Sequence, residues 1–94
     1  MIKNITILGA GESGFGAAML AHQKGHNVFV SDISEIRKDI KSIFVKNSIK
    51  FEEKDHSFDK IKFSDLIIKS PGIPNTSIII SKIKSFDIPI ISEI

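Results

Sequence analysis

Three glycines near the start of the chain have the spacing of a phosphate-binding turn. Gly9, Gly11 and Gly14 follow the pattern G-x-G-x-x-G, between the apolar strand pattern of residues 3–8 and a helical pattern. In such a turn the middle glycine lets the backbone approach a diphosphate, and the new helix directs free N–H groups at the anion. The pattern therefore predicts a nucleotide-type phosphate site. The alternative is a tight strand-to-helix turn without a ligand.

Two further stretches follow predicted strands and could complete a site. Asp32 comes about twenty residues after the glycine turn, where a dinucleotide-binding unit carries its acidic residue. Its carboxylate suits a ribose diol or a base N–H, or it caps the next helix. The rigid turn Ser70-Pro71-Gly72 follows the fourth predicted strand. Ligands of an open parallel sheet bind outside the carboxyl ends of its strands, so we expect all three stretches to line one crevice.

Other polar side chains are predicted to have ordinary roles. Glu12 would place a negative charge beside a diphosphate, so we expect its side chain to turn towards solvent. Lys69 either approaches an anion or is solvated. The histidines lack metal-ligand spacing and are interpreted as surface residues; they are His22, His26 and His56. No catalytic set of side chains is expected in the crevice, so these residues predict binding and not a reaction.

The elements that must position these residues alternate between strands and helices. We predict strands at 3–8, 27–31, 49–52, 66–69 and 89–92, and helices at 13–24, at 34–46 and from Asn75 or Thr76 to about 86, with a brief helical turn within 53–64. Leu20 and Phe63 are expected to pack inward, and Asp32 or Ser34 to cap the second helix. The alternation predicts an α/β fold, a Rossmann-like doubly wound five-stranded parallel sheet ordered 3-2-1-4-5.

Composition limits the classes of function. The chain has 94 residues, of which 41% are hydrophobic and 26% charged, as expected for one globular domain. The net charge of +2 comes from scattered lysines, which predicts no nucleic-acid partner. There is no cysteine, which excludes disulfides and thiolate chemistry. No apolar run approaches the ~20 residues that span a bilayer, and no signal peptide is recognised, so we expect a cytoplasmic domain without a membrane partner.

The combination of motifs resembles the N-terminal domain of the Mur ligases, in the branch that adds D-glutamate. The motifs are the run from Ile7 to Gly14, the segment Val30-Ser31-Asp32, the turn from Ser70 to Pro74 and the ending from Ile91 to Ile94. The resemblance covers essentially the whole chain. The Ser-Pro-Gly-Ile-Pro turn is its most discriminating part, since ordinary NAD-binding domains do not require it.

The resemblance implies that residues 1–94 are a single N-terminal domain that binds the UDP part of UDP-N-acetylmuramoyl-L-alanine in peptidoglycan synthesis. By position, Gly11-Glu12-Ser13-Gly14 would hold the diphosphate and flank the uracil, Asp32 and the backbone of Ile33 would hold the uracil edge, and Gly72 would approach the nucleotide. The family binds ATP and Mg²⁺ in a central domain and uses a third domain for the amino acid. The implied partners of this chain are therefore those domains in cis, and by itself it is expected to need no cofactor and to be inactive.

Two other functions stay open at this point. The glycine spacing and Asp32 favour equally an NAD(H)-binding Rossmann domain of a dehydrogenase or of a redox-sensing regulator. A flavodoxin-like response module without a nucleotide would leave the glycine turn without a purpose. The Ser70–Pro74 turn favours the uridine nucleotide.

Overall fold

The computed structural model describes residues 1–74 and 76–92. In chain order the elements described are β1 (Asn4–Leu8), α1 (Glu12–Gln23), β2 (Asn27–Asp32), α2 (Lys38–Lys46), β3 (Lys50–Glu53), α3 (Phe58–Ile61), β4 (Leu66–Lys69), α4 (Ile78–Lys84) and β5 (Ile90–Ser92). The strands form one sheet of order β3-β2-β1-β4-β5, and each pair of neighbours is parallel. The predicted fold class and strand order are confirmed.

The register of the central strand brings the predicted functional stretches to one edge. Leu8, the last residue of β1, pairs with Ser31 on one side and with Lys69 on the other. Because the strands are parallel, the loops that follow them leave the sheet at the same edge. The glycine turn therefore lies between the segment that follows β2 and the turn that follows β4.

The apolar residues of the strands alternate between two cores, as expected for a sheet that is covered on both faces. Ile7 lies in one cluster with Ala18 of α1 and Phe44 of α2. Its neighbour Leu8 lies in a second cluster with Ile83 of α4. The helices therefore pack in two layers, and this arrangement leaves the carboxyl edge of the sheet to the loops.

The second helix begins later than predicted. We expected it to start at Ser34 with a cap from that residue or from Asp32, but α2 begins at Lys38 and no side chain caps it. The backbone N–H of Ile36 instead donates to Glu53 Oε1 at 2.8 Å. This bond ties the segment before α2 to the end of β3, so Ile36 is buried without being helical.

Two apolar residues that were expected to pack inward are exposed. Leu20 on α1 is 55% exposed and Phe63 is 71% exposed, so both predictions were wrong. On α1 the buried positions belong instead to small residues, Gly14, Ala18 and Ala21. Small side chains let the helix axis approach the sheet closely, and this leaves a larger side chain such as Leu20 at the rim.

The last helix is shorter than predicted and begins with a different cap. Ser77 Oγ accepts the backbone N–H of Ile80 at 3.4 Å and α4 starts at Ile78, so Thr76 is not the cap. The alternative cap, Asn75, and the last two residues of the Ile91–Ile94 ending lie outside the described residues. Within the described ranges no helix has the length and apolar character needed to cross a membrane.

Candidate nucleotide-binding crevice

The first glycine of the turn is required by its backbone conformation and by its neighbours. Gly9 has φ of +95°, and residues other than glycine rarely adopt a positive φ of this size. A Cβ at this position would lie 2.9 Å from the Cβ of Ser70. Its N–H donates to the carbonyl oxygen of Ser31 at 2.9 Å. The turn is therefore held between the ends of β2 and β4.

The other two glycines of the motif are required for different reasons. A Cβ on Gly14 would lie 1.8 Å from the carbonyl oxygen of Gly9, so only glycine lets α1 pack against the turn. Gly11 has φ of −73°, and a Cβ there would meet nothing within 4 Å. Neither backbone strain nor packing in this chain requires a glycine at position 11. Its missing side chain leaves open space above the start of α1.

The start of α1 presents backbone donors to that open space. Gly11 is the N-cap residue and provides no side chain to cap the helix, and the first intrahelical bond described runs from Phe15 N–H to the Gly11 carbonyl at 2.8 Å. The N–H groups of residues 12–14 precede that bond, as in the first turn of any α-helix. Glu12 and Ser13 are both exposed. Free N–H groups at a helix N-terminus suit an anion such as a diphosphate.

Asp32 fastens the glycine turn to the end of β2. Its Oδ2 accepts the backbone N–H of Ala10 at 2.7 Å, and its Oδ1 accepts that of Ser34 at 2.8 Å. The interpretation of Asp32 as the cap of the second helix is wrong, because α2 begins six residues later, at Lys38. A carboxylate has about four acceptor positions, so each oxygen keeps capacity for a ligand. The adjacent Ile33 is 63% exposed.

The turn after β4 is closed by its own hydrogen bonds and contacts the glycine turn. Ile73 N–H donates to the Ser70 carbonyl at 3.0 Å, and Ser70 N–H donates to the carbonyl of Leu8 at 2.9 Å. Gly72 N–H lies 3.4 Å from Ser70 Oγ, and both Pro71 and Gly72 are exposed. The structure thus brings the three predicted stretches together: the Asp32 side chain bonds to the backbone of the glycine turn, and Ser70 lies against Gly9 and bonds to the preceding residue, Leu8.

Lys69, the last residue of β4, is bonded to this turn through its side chain. It is only 5% exposed, so its interpretation as a solvated lysine is wrong. Its Nζ donates to the carbonyl oxygen of Ile73 at 2.7 Å. An ammonium buried to this extent needs acceptors, and this carbonyl belongs to the Ser-Pro-Gly-Ile-Pro turn. Lys69 therefore restrains that turn.

Sequence reasoning missed a polar cluster beside Asp32. The fully buried Ser31 Oγ lies 2.8 Å from Glu52 Oε2 and 2.7 Å from His56 Nδ1, while Ser57 donates to Glu52 through both N–H and Oγ. His56 was interpreted as a surface residue, but it is partly buried and bonds to the fully buried Ser31. The available signal was a serine inside β2, directly after the apolar residues 28–30 and before Asp32.

Local contacts change the acidity of the groups around this cluster. Burial lowers the pKa of His56, although the negative charges of Asp32, Glu52 and Asp55 act in the opposite direction. Burial by itself would raise the pKa of Glu52, but hydrogen bonds from Ser57 and Ser31 outweigh it, and the pKa lies below its usual value. At neutral pH the cluster therefore combines a carboxylate with a neutral imidazole.

The remaining histidines, His22 and His26, lie away from this cluster. His26 Nδ1 accepts the backbone N–H of Lys3 at 3.0 Å, at the amino edge of the sheet, and His22 lies near the end of α1. Among the residues that the structure describes, no group of three or more His, Cys, Asp or Glu side chains could hold a metal ion.

Comparison with known proteins identifies a family. A family model described as the MurD N-terminal domain matches residues 4–79. Over 93 residues the chain is 50% identical to the UDP-N-acetylmuramoylalanine–D-glutamate ligase of Bacteroides thetaiotaomicron, covering 99% of this chain and 21% of that protein. The same-named ligase of Christiangramia forsetii is 43% identical over 94 residues, covering all of this chain and 21% of its own. The chain thus spans about a fifth of the length of these curated relatives.

Solved structures carry the same fold. A pseudomurein peptide ligase type C from Methanothermus fervidus superposes with a TM-score of 0.84 and 29% identity, over 95% of this chain and 18% of its own. The UDP-N-acetylmuramate–alanine ligase MurC from Thermotoga maritima gives a TM-score of 0.78 over 96% of this chain and 20% of its own. At 24% identity this second likeness shows the fold alone.

Proposed function

Because the chain belongs to the family of MurD N-terminal domains, we propose that it binds the UDP part of UDP-N-acetylmuramoyl-L-alanine. In this proposal it is the first domain, residues 1–94, of a cytoplasmic ATP-dependent ligase. That enzyme would add D-glutamate to the substrate during peptidoglycan synthesis. The proposal assigns this chain the task of holding the nucleotide and leaves the reaction to the longer protein.

The open space at Gly11 is the observation that carries the proposal. A glycine that neither its φ angle nor its neighbours require is expected where a ligand approaches the backbone. The adjacent N–H groups of residues 12–14 would hold the diphosphate, since backbone donors and the helix dipole both favour negative charge there. Gly9 and Gly14 shape the turn, and Glu12 and Ser13 would flank the uracil.

The nucleoside would lie between the loops that follow β2 and β4. Asp32 retains acceptor capacity beside the glycine turn and would accept from the uracil edge, with the backbone of Ile33 next to it. From the other side, Ser70, Pro71 and Gly72 would contact the nucleotide, since Pro71 and Gly72 are exposed at the same edge. These residue roles are proposals, and the direct contacts between the three stretches support them.

ATP and Mg²⁺ enter the proposal through the family alone. The sequence contains no G-x-x-x-x-G-K-[ST] motif, and the described residues include no metal-binding group of side chains. ATP and Mg²⁺ would both act in the central domain of the longer enzyme, which together with the third domain would be the partner in cis.

A paired titration tests the proposal against the NAD(H) alternative, which the family membership does not favour. The chain is titrated with UDP-N-acetylmuramoyl-L-alanine and separately with NADH, while backbone amide signals are followed by NMR. We expect saturable shifts at residues 11–14 and at Ile33 with the uridine ligand. Saturable binding of NADH with no response to the uridine ligand would overturn the proposal.

A further inference from the structure

The hydrogen-bond donors around Ser31 allow one assignment only. Ser31 Oγ carries a single hydrogen, and it lies 2.8 Å from Glu52 Oε2, 3.2 Å from the Asp55 carbonyl oxygen and 2.7 Å from His56 Nδ1. The Glu52 carboxylate, which is ionised at neutral pH, and the Asp55 carbonyl can only accept, so the serine hydrogen is donated to these two oxygens, and the shorter bond is the one to Glu52. His56 Nδ1 must then carry the hydrogen that is donated to Ser31 Oγ. The neutral imidazole is therefore protonated on Nδ1, and its Nε2 is an acceptor.

Ser31 connects this imidazole to the glycine turn. Its carbonyl oxygen accepts Gly9 N–H at 2.9 Å, and the next residue, Asp32, accepts Ala10 N–H at 2.7 Å. His56 thus lies two hydrogen bonds away from the backbone of the turn, with one fully buried residue between them. Ser31 is fixed on its side-chain face by Glu52 and His56 and on its backbone by the turn.

We propose that His56, as its Nδ1–H tautomer, is a positioning residue for the nucleotide crevice, holding Ser31 so that Ser31 and Asp32 fix the glycine turn. The expected effect of His56 on nucleotide binding rests on the proposed function, whereas its positioning of the glycine turn does not. It assigns a role to a residue that has no predicted contact with the ligand.

The charges that face His56 are acidic. They come from the end of β2, from β3 and from the segment after β3, and the groups are Asp32, Glu52 and Asp55. Lys60 of α3 acts on Glu52 as the nearby cation. Protonating His56 leaves the Nδ1–H donor in place, because only Nε2 gains a proton. The positioning bond should therefore survive mild acid, and the tautomer, rather than the charge, is the feature to test.

Two substitutions separate positioning from bulk packing. In His56→Asn the side-chain amide nitrogen takes roughly the place of Nδ1 and keeps a donor to Ser31. In His56→Leu the donor is lost. His26→Asn is the matched control, since His26 lies at the amino edge of the sheet and its Nδ1 accepts rather than donates.

The measurement is amide hydrogen exchange in the ligand-free chain. The exchange rates of Gly9 and Ala10 report opening of the glycine turn. The exchange rate of Ile67, whose N–H donates to the Pro89 carbonyl, reports opening of the other half of the sheet.

We expect His56→Leu to accelerate exchange at Gly9 and Ala10 about tenfold more than at Ile67, the effect of losing about one net hydrogen bond. His56→Asn and His26→Asn should leave that ratio unchanged. Equal acceleration at all three amides would show a merely structural role and overturn the inference. Should His56→Leu not fold, the imidazole nitrogen chemical shifts of the unmodified chain decide, because an Nε2–H tautomer at neutral pH would also overturn it.

Titration with UDP separates this inference from the proposed function. We expect His56→Leu to weaken UDP binding about threefold to tenfold, as for one displaced hydrogen bond, and His56→Asn to bind as the unmodified chain does. If the unmodified chain binds no UDP, the proposed function fails while the exchange measurement still decides the role of His56. If UDP binds equally to all the variants, the link from His56 to the crevice is wrong.

Discussion

The carboxylate of Asp32 accepts the backbone N–H of Ala10 at 2.7 Å, so the last residue of β2 positions the turn that follows β1. Its second oxygen holds Ser34 N–H at 2.8 Å. An acidic residue at this place in the fold is expected to contact the ligand, but here it first orders the protein. Loss of the Asp32 carboxylate should therefore weaken the binding of every ligand group that the glycine turn holds, and not only of the nucleoside.

Replacing Asp32 by alanine should weaken the binding of pyrophosphate as well as that of UDP. A hydrogen bond to a charged group contributes about 1.5–3 kcal/mol, so loss of the part-buried bond to Ala10 alone should lower the free energy of unfolding by about that amount, and the exposed bond to Ser34 adds less. Isothermal titration with both ligands and urea denaturation measure the two effects. Asp65→Ala is the matched control, because Asp65 Oδ2 accepts Asn4 N–H at 2.8 Å at the opposite edge of the sheet.

The control should lose stability and keep its affinity for both ligands. If Asp32→Ala binds pyrophosphate normally and loses only UDP, Asp32 contacts the nucleoside and does not position the turn.

The strands and helix ends that were predicted correctly are those specified by residues adjacent in sequence. The β4 run 66–69 was predicted with its observed bounds, and Gly25, with φ of +88°, follows the end of α1, where helices favour a glycine. The strand order followed from alternation and the handedness of crossovers. The start of α2 could not be predicted, because a carboxylate 17 residues away, on Glu53, binds Ile36 N–H.

The candidate site was predictable to the same degree. The glycine spacing and the Ser-Pro-Gly turn indicated the crevice, because both are backbone patterns written in consecutive residues. The contacts that hold the crevice in shape are side-chain bonds that no local pattern indicates: Lys69 bonds to the Ile73 carbonyl, and His56 bonds to Ser31, 25 residues earlier in the chain. The role of Lys69 was therefore left open between an anion and solvent, and His56 was interpreted as a surface residue.

Replacing Lys69 by methionine tests its role in restraining the turn. The substitution keeps an unbranched apolar stem and removes the donor to the Ile73 carbonyl. Because a buried charge is removed together with its bond, we expect the free energy of unfolding to change by less than about 1.5 kcal/mol. The amide of Ile73 should nevertheless exchange several-fold faster, and Lys84→Met, on the exposed side of α4, should change neither quantity. Unchanged exchange at Ile73 would mean that the turn holds its shape without Lys69.

The stability of the chain should depend on Glu52 in acid. The pKa of Glu52 is lower in the folded chain than its usual value, as its bonds from Ser57 and Ser31 outweigh burial. A carboxyl group whose pKa is lower in the folded chain stabilises the fold at pH values above its pKa in the unfolded chain, which is about 4.5. This stabilisation is lost as the pH falls through the pKa of the folded chain. We expect Glu52→Gln to be less stable at pH 7 by about 1.5–3 kcal/mol, with the difference shrinking below pH 4.5.

Urea denaturation across this pH range provides the measurement for Glu52. Glu35→Gln is the control, since Glu35 is exposed and its substitution should leave the pH dependence unchanged. A difference between Glu52→Gln and the unmodified chain that stays constant down to pH 3 would contradict the assignment.

The open space at Gly11 can be tested by filling it, and Gly16 provides a matched control. A Cβ at Gly11 and a Cβ at Gly16 both meet nothing within 4 Å of the protein, so either glycine can become alanine without a clash. Only the Gly11 side chain would occupy the proposed diphosphate position. In the helix interior Gly16→Ala should raise stability by about 0.8–1.0 kcal/mol.

The decisive measurement is therefore the affinity of Gly11→Ala and Gly16→Ala for UDP, with thermal unfolding of both variants as the check on folding. We predict that Gly11→Ala binds UDP at least about tenfold more weakly, which is ~1.4 kcal/mol, while it stays folded and loses no more than about 1 kcal/mol of stability, because alanine is a poorer N-cap than glycine. Gly16→Ala should keep full affinity. Equal affinity of the two variants and the unmodified chain would contradict the placement of the diphosphate at the start of α1.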